Sequence, residues 1–251
     1  MSAMRLSAPL REAWQTVVPA VDDPHRPLPP LLLGLTVVTG LVDAFSYLVL
    51  GHVFVANMTG NVVFLGFALA GASGFSLAAS LVALAAFGLG ALAGGRLGTH
   101  LGAHRGWLLA VAAAVEAVLV AAAVVIAAVG NPGSGAARYL LIVLLGVATG
   151  TQNAAARRLA VPDLTTTVLT LTITGIFADG RLAGGAASKV GRRLVSIASM
   201  FVGGLVGAML VLDADASLAI VVAAIVLVVI AVSAAVQSRT DRPWIHTSKA
   251  P

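Results

Sequence analysis

Two acidic residues lie within long apolar stretches of the sequence, where a charged side chain needs a partner or a function. Asp43 occurs with no other charged residue between Arg26 and Arg96, and Glu116 is the single charge within residues 107–130. An ionised carboxylate is costly in such surroundings, so it pairs, takes up a proton or binds a cation. We expect Asp43, and after it Glu116, to serve in proton coupling or gating. The alternative is a structural hydrogen bond to a neighbouring helix.

Polar residues also open two short apolar segments, residues 59–70 and 165–178. A helix that begins inside a membrane leaves its first N–H groups unpaired and points the positive end of its dipole inward. Such a site accepts hydroxylated or anionic solutes. The alternative is that these side chains only cap helices and bond across interfaces. We expect a solute pathway lined by the polar residues at these starts and at the end of the preceding long helix: Asn57, Thr59, Gly60, Asn61, Gln152, Asn153, Thr165, Thr166 and Thr167.

Several kinds of chemistry are absent from the sequence. It has no cysteine, no HExxH, no GxSxG and no phosphate-binding P-loop, so we expect neither an enzyme nor a cofactor, and no catalytic residues. His100 and His104 have zinc-ligand spacing but lack further ligands nearby, so we assign no metal site. The net charge of +5 is scattered between apolar runs, which argues against a nucleic-acid partner.

The composition predicts an all-α polytopic membrane protein whose main partner is the lipid bilayer. Apolar residues make up 59% of the 251 residues and charged residues 10%, whereas soluble proteins carry about 25% charged residues. Each long apolar run is about the length of a helix that crosses a ~30 Å hydrocarbon core. The six runs are residues 31–50, 77–93, 107–130, 139–156, 194–212 and 218–236.

The chain divides into two membrane repeats flanked by two tails. Residues 1–29 are rich in proline towards their end and lack the apolar core of a signal peptide, so we expect a disordered cytoplasmic tail. The first repeat covers residues 30–130 and the second 137–237, and residues 238–251 form a cytoplasmic C-terminal tail. GxxxG spacings, as at Gly90 and Gly94, indicate close helix packing within one chain or in a homo-oligomer.

Three landmarks recur in the same order in both halves. Gly-Leu-Val-Asp-Ala at 40–44 matches Gly-Thr-Gln-Asn-Ala at 150–154, and Asn-Met-Thr-Gly-Asn at 57–61 corresponds to the threonines at 165–167. The glycine-rich stretch at 87–94 likewise matches the one at 201–207. A repeated order at separations of roughly 110 residues indicates a two-fold internal repeat of the kind that transporters contain.

Whether the two short segments are re-entrant or span the membrane decides the relation between the halves. Re-entrant segments give six spans and an inverted repeat; spanning segments give eight spans and a parallel one. The re-entrant alternative leaves every basic residue except Arg138 in the cytoplasm. The spanning alternative moves four basic residues outside: Arg96, Arg105, Arg157 and Arg158. Because basic residues favour the cytoplasmic side, the charges favour re-entrant segments and an inverted repeat.

The motifs at 40–61 and 150–158 resemble those of the YoaK-like family of bacterial membrane proteins. The stretch Val-Phe-Val-Ala-Asn-Met-Thr-Gly-Asn at 53–61 is the most distinctive part, and the resemblance extends over roughly residues 30–236. It implies a multi-pass protein of the bacterial plasma membrane and no particular activity. The second half departs from the first, because three threonines stand in place of Met-Thr-Gly-Asn. The motif positions that match are Asp43, Asn57, Thr59, Gly60, Asn61, Gln152 and Asn153.

We therefore expect a transporter or channel for a small polar or anionic solute, with its site between the two repeats. Broken helices and intramembrane acids generally mark such a pathway. The alternative is a membrane scaffold or regulatory partner in which the polar residues only join helices. Both termini are expected in the cytoplasm, since the basic residues of both tails lie there.

Overall fold

The computed structural model describes residues 8–20, 23–164, 169–180, 183–185, 189–239 and 243–245. Throughout these ranges the regular elements are helices, and six of them are long and apolar enough to cross a membrane. The prediction of an all-α protein with six spans and two short apolar helices is confirmed. In chain order the helices are α1 (Ala8–Val17), α2 (Leu28–Val49), α3 (Met58–Leu69), α4 (Leu77–Leu101), α5 (Arg105–Val129), α6 (Gly135–Leu159), α7 (Leu169–Ala178), α8 (Val190–Asp213) and α9 (Leu218–Ser238).

The N-terminal region differs from the disordered tail that we expected. Residues 8–17 form the amphipathic helix α1, which packs against α8. Thr16 is buried, whereas Leu10 and Trp14 are exposed, and Glu12 accepts a hydrogen bond from Gly191 N at 3.1 Å. The prolines that suggested disorder mostly follow α1. Those at 29 and 30 lie in the first turn of α2, where a missing N–H costs nothing.

The bundle has two ends that can be identified from contacts between distant residues. At one end, which we call the His52 end, Arg138 Nε donates to Leu50 O at 2.7 Å, so the start of α6 lies beside the end of α2. At the other, the Arg105 end, Arg105 Nη2 donates to Leu159 O at 2.7 Å. Helices α2 and α6 therefore run in opposite directions. The most extensive helix packing is between α4 and α6, α2 and α8, and α5 and α9.

Glycines bring two of these helix pairs into backbone contact. A Cβ atom on Gly90 of α4 would overlap with the carbonyl oxygen of Val147 on α6. A Cβ atom on Gly203 of α8 would overlap with the carbonyl oxygen of Val37 on α2 in the same way. The packing that GxxxG spacing predicts therefore occurs within the chain.

The first short segment lies within residues 51–76, between α2 and α4. This part of the chain enters and leaves the bundle at the His52 end. His52, just beyond α2, lies 3.1 Å from Gly74 O through its Nδ1 atom, and Gly74 precedes α4. Between them the chain descends to the level of Asp43 and returns as α3. This helix has 12 residues, about 18 Å in length, which is too short to span. Stacked rings of Phe54 and Phe64, 5.7 Å apart, hold α3 beside the stretch of backbone that precedes it.

The second short segment lies within residues 160–189, between α6 and α8. This part of the chain begins and ends at the Arg105 end. Arg193, in the first turn of α8, binds Asp163 before α7 with its Nε atom at 3.0 Å. The same guanidinium binds Asp179 after α7 with Nη2 at 2.8 Å. One side chain thus joins the entry and the exit of the segment. Along the described residues, each short segment therefore begins and ends at one end of the bundle, as the re-entrant alternative expects.

Candidate functional site

Asp43 binds the part of the first short segment that lies deepest in the bundle, just before α3 begins. Its Oδ1 atom accepts hydrogen bonds from Val55 N at 3.1 Å and Ala56 N at 3.0 Å. Its Oδ2 atom accepts a further bond from Asn57 Nδ2. Three donors satisfy the buried carboxylate without a cation. We call Asp43, Val55, Ala56 and Asn57 the Asp43 cluster.

Two further side chains fix the stretch of backbone, residues 53–57, that leads into α3. Asn61 Oδ1 accepts from Phe54 N at 2.9 Å and Asn61 Nδ2 donates to Phe54 O, so one amide binds both backbone groups of Phe54. Thr149 Oγ1 of α6 donates to Val55 O at 2.5 Å. Gly60 leaves room for the ring of Phe54, which lies 2.7 Å from where its Cβ would be. The side chains of the sequence motif at 53–61 therefore serve largely to hold this stretch of backbone in place.

The start of α3 lies inside the bundle, about one and a half helical turns from the end of α2. Asp43 is six residues before Val49, a rise of about 9 Å. Asn57 precedes α3 without capping it, because its amide is bound to Asp43. Thr59 in the first turn is exposed. The Asp43 carboxylate sits against the positive end of the α3 dipole and offsets its attraction for anions.

Glu116 belongs to a second buried cluster, formed with Gln152 and Thr39. One amide atom of Gln152 lies 2.6 Å from Glu116 Oε1 and 3.1 Å from Glu116 Oε2. The other amide atom lies 3.0 Å from Thr39 Oγ1, which in turn donates to Leu35 O at 3.0 Å. Glu116 and Thr39 have no exposed surface, and Gln152 has 1%. We call these three residues the Glu116 cluster.

The two clusters are neighbours on two helices. Thr39 and Asp43 lie one turn apart on α2, and Thr149 and Gln152 lie one turn apart on α6. The sequence analysis missed Thr39 and Thr149. The signal for them was their spacing from Asp43 and Gln152, which places each on the same helix face as a residue that we had named.

The predicted pathway residues of the second half do not form one cluster among the described residues. Asn153 donates to Thr149 O at 2.9 Å within its own helix. The three threonines at 165, 166 and 167 lie outside the described residues. Beside the entry of the second segment, at the Arg105 end, is an open cavity of about 470 Å³. Its lining carries both charge signs and includes Glu12, Asp23, His25, Pro162, Lys189 and Arg192.

Arg105 joins the N-terminal region to this end of the bundle. Its Nη2 atom lies 3.2 Å from His25 Nδ1, in addition to its bond to Leu159 O. Burial, and after it the nearby charge of Arg105, lowers the pKa of His25 below the ordinary value of 6.5. In the described parts of the chain, no three His, Asp or Glu side chains come together as metal ligands would.

Comparison with known proteins places the chain in a family. Residues 31–233 match the family described as "Protein of unknown function (DUF1275)". The chain belongs to this family. The DUF1275 match begins in α2 and ends in α9, so it includes both clusters and both short segments and leaves α1 outside.

A curated relative agrees with the family assignment. The chain is 36% identical over 156 residues to the "UPF0700 transmembrane protein YoaK" of Bacillus subtilis (strain 168). The aligned part covers 61% of this chain and 68% of the relative. The resemblance to YoaK-like membrane proteins that the motifs suggested is confirmed. No solved structure matches the chain.

Proposed function

We propose that the protein moves a small polar solute across the membrane along its two re-entrant segments. The observation that carries this proposal is the placement of the two segments. The first enters and leaves at the His52 end, where His52 contacts Gly74, and the second at the Arg105 end, where Arg193 binds Asp163 and Asp179. Irregular backbone at membrane depth is tolerated beside protein or a water-filled cavity, and transporters place their sites at such breaks.

An inverted repeat is part of this proposal. Under an exchange of α2–α5 with α6–α9, the α4–α6 pair corresponds to α8–α2, and the glycine contacts at Gly90 and Gly203 become equivalent. The opposite directions of α2 and α6 also fit an inversion. Each segment would then open towards a different side of the membrane, as alternating access requires.

The proposed location is the bacterial plasma membrane, with both termini in the cytoplasm. Among the described residues, the lysines and arginines lie towards the Arg105 end, with the exception of Arg138. The positive-inside rule then assigns the Arg105 end to the cytoplasm. Helix α1 and the turn at Pro243–Ile245, which packs on Gly106, both lie at this end.

Uncharged polar solutes fit the first segment better than anions do. The Asp43 carboxylate already takes the N–H groups of Val55 and Ala56 and lies near the start of α3, where it repels a second negative charge. Thr59, exposed in the first turn of α3, provides a hydroxyl group for such a solute.

Reconstituted protein tests the proposal. Proteoliposomes are loaded with radiolabelled glycerol, erythritol or serine, and efflux is compared with that from protein-free liposomes. We expect at least one solute to leave faster, and Thr59→Val to slow it several-fold while the matched exposed variant Thr99→Val does not. Equal efflux from both liposome types for all three solutes would contradict transport of small uncharged or zwitterionic polar solutes.

One observation favours the scaffold alternative. The side chains of Asp43, Asn57 and Asn61 all form hydrogen bonds that hold the first segment in place. Polar residues that only join membrane helices have the same role. In that case the folded protein would carry no solute and would co-purify from native membranes with a stoichiometric partner. Partner capture together with absent efflux is the outcome that separates the two functions.

A further inference from the structure

Glu116 is buried halfway along α5 without a cation beside it. Its side chain has no exposed surface, and the ion pairs within the described residues all involve Asp163 or Asp179 instead. On α9, residues 218–238 carry no charge. The titratable or charged residues on the other helices packed against α5 or contacting its cluster are Asp43 and Tyr47 on α2, Arg96 and His100 on α4, and Arg138, Tyr139, Arg157 and Arg158 on α6.

The contact between Glu116 and Gln152 fits a hydrogen bond from a protonated carboxyl group to an amide oxygen. The closer contact is 2.6 Å, inside the range of 2.5–3.0 Å for O–H···O bonds. With the amide oxygen of Gln152 towards Glu116, its nitrogen is free to donate to Thr39 Oγ1 at 3.0 Å. The Thr39 hydroxyl then donates to Leu35 O. In this series of hydrogen bonds, from Glu116 through Gln152 and Thr39 to Leu35 O, each group donates to the next one.

We propose that Glu116 and Gln152 form a proton-binding site within the membrane. Glu116 is a neutral carboxylic acid that donates its proton to Gln152 Oε1. When the proton leaves, the amide of Gln152 turns by half a rotation, so that Nε2 donates to the carboxylate and Oε1 accepts from the Thr39 hydroxyl. Uptake of one proton therefore reverses the direction of the hydrogen bonds from Glu116 to Thr39.

The position of the cluster connects this proton to the first short segment. Thr39 lies one turn from Asp43 on α2, and Gln152 lies one turn from Thr149 on α6. Asp43 and Thr149 both bind the backbone of Val55. The proton bound at this site would be the coupling ion for transport, and that role rests on the proposed function. The binding of the proton itself does not depend on transport.

Carbon-13 NMR of the glutamate carboxyl groups tests the protonation directly. The sequence contains two glutamates, Glu12 and Glu116, so protein labelled at the glutamate δ-carbon and placed in lipid nanodiscs gives two signals. The Glu12→Gln and Glu116→Gln variants assign them. We expect the Glu116 signal at the chemical shift of a protonated acid throughout about pH 5–8, the range in which solvated carboxylates are ionised. An ionised Glu116 signal over that range would overturn the proposal.

A second variant tests the role of Gln152 as the hydrogen-bond partner. In Gln152→Leu the protonated Glu116 loses its acceptor, so its carboxyl signal is expected to move, while Asn153→Leu, one residue along α6, leaves it in place. An unchanged signal in Gln152→Leu would contradict the proposed pair. Because neither measurement needs a solute, a protonated Glu116 in a protein without efflux would leave this site intact and count only against transport.

Discussion

At the scale of single residues, the polar side chains of this protein do different work from one another although all lie in apolar surroundings. Asp43 accepts three hydrogen bonds from one short stretch of backbone and its neighbouring amide. Glu116 has one amide partner that contacts both of its oxygens. A carboxylate with three donors is suited to holding structure, and one with a single neutral partner is suited to holding a proton. The prediction that Asp43 couples protons remains untested.

Replacing Asp43 should loosen the first short segment. In Asp43→Asn one acceptor oxygen remains, and the new NH₂ group faces the donors that the carboxylate bound. We expect a loss of about 2–4 kcal/mol of stability, since hydrogen bonds to charged groups contribute about 1.5–3 kcal/mol each. Thermal unfolding in detergent measures it, with Thr59→Val as the control in the same segment. An unfolding midpoint equal to that of the wild type would show that the three bonds contribute little.

His25 should make the stability of the protein depend on pH. Its pKa is lowered in the folded protein, by burial and then by Arg105, so the unfolded chain binds the proton more readily. The stability is therefore complete above about pH 6.5 and declines as the pH falls further. Protonated His25 also loses the lone pair that accepts from Arg105.

The unfolding midpoint measured between about pH 7.5 and 5.5 checks this dependence. His25→Gln keeps an acceptor for Arg105 and does not titrate, so we expect its midpoint to fall less than that of the wild type. Parallel slopes for the two proteins would assign the pH dependence to other groups.

At the scale of elements, apolar length predicted the six spans because length and composition alone decide whether a helix can cross a bilayer. The same reasoning could not find α1, whose ten residues are amphipathic and gain stability from packing on α8. The motif at 53–61 indicated a break between helices within the membrane. Its partner Thr149 could not be found in this way, because it is more than 80 residues away and belongs to another helix. Nor could any local pattern pair Glu116 with Gln152, which only the packing of α5 on α6 brings together.

The glycine contacts give a prediction about the two helix pairs that the proposed inverted repeat makes equivalent, α4 with α6 and α8 with α2. Gly90→Ala and Gly203→Ala each force a Cβ atom onto a carbonyl oxygen of the facing helix. We expect each to destabilise the protein by about 1–3 kcal/mol, the usual cost of overpacking. Gly88→Ala and Gly204→Ala are matched controls, because a Cβ atom at either position meets nothing within 4 Å.

Thermal unfolding of the four variants in one detergent provides the comparison. The two controls should match the wild type or exceed it slightly, since alanine favours a helix over glycine by about 1 kcal/mol. If Gly90→Ala were destabilised and Gly203→Ala were not, the two helix pairs would not be equivalent, and the inverted repeat would lose its main packing support.

At the scale of the whole molecule, the direction of each helix follows from where the first short segment emerges. If residues 51–76 return to the side from which they entered, then α4 ends in the cytoplasm and the basic residues at its end obey the positive-inside rule. His52 and Gly74 lie in contact, so we expect residue 73 on the outer side and residue 99 on the inner side. Both positions are exposed.

Labelling of introduced cysteines distinguishes the two sides, because the chain has none of its own. Ser73→Cys should react with a membrane-impermeant thiol reagent in intact cells, and Thr99→Cys should react only after the cells are permeabilised. Ala8→Cys on α1 is the internal control for the inner side. The opposite pattern, with residue 99 labelled and residue 73 protected, would mean that the segment spans. The halves would then be parallel, and a pathway along re-entrant segments would have no basis, while the proton site at Glu116 would still stand on its own contacts.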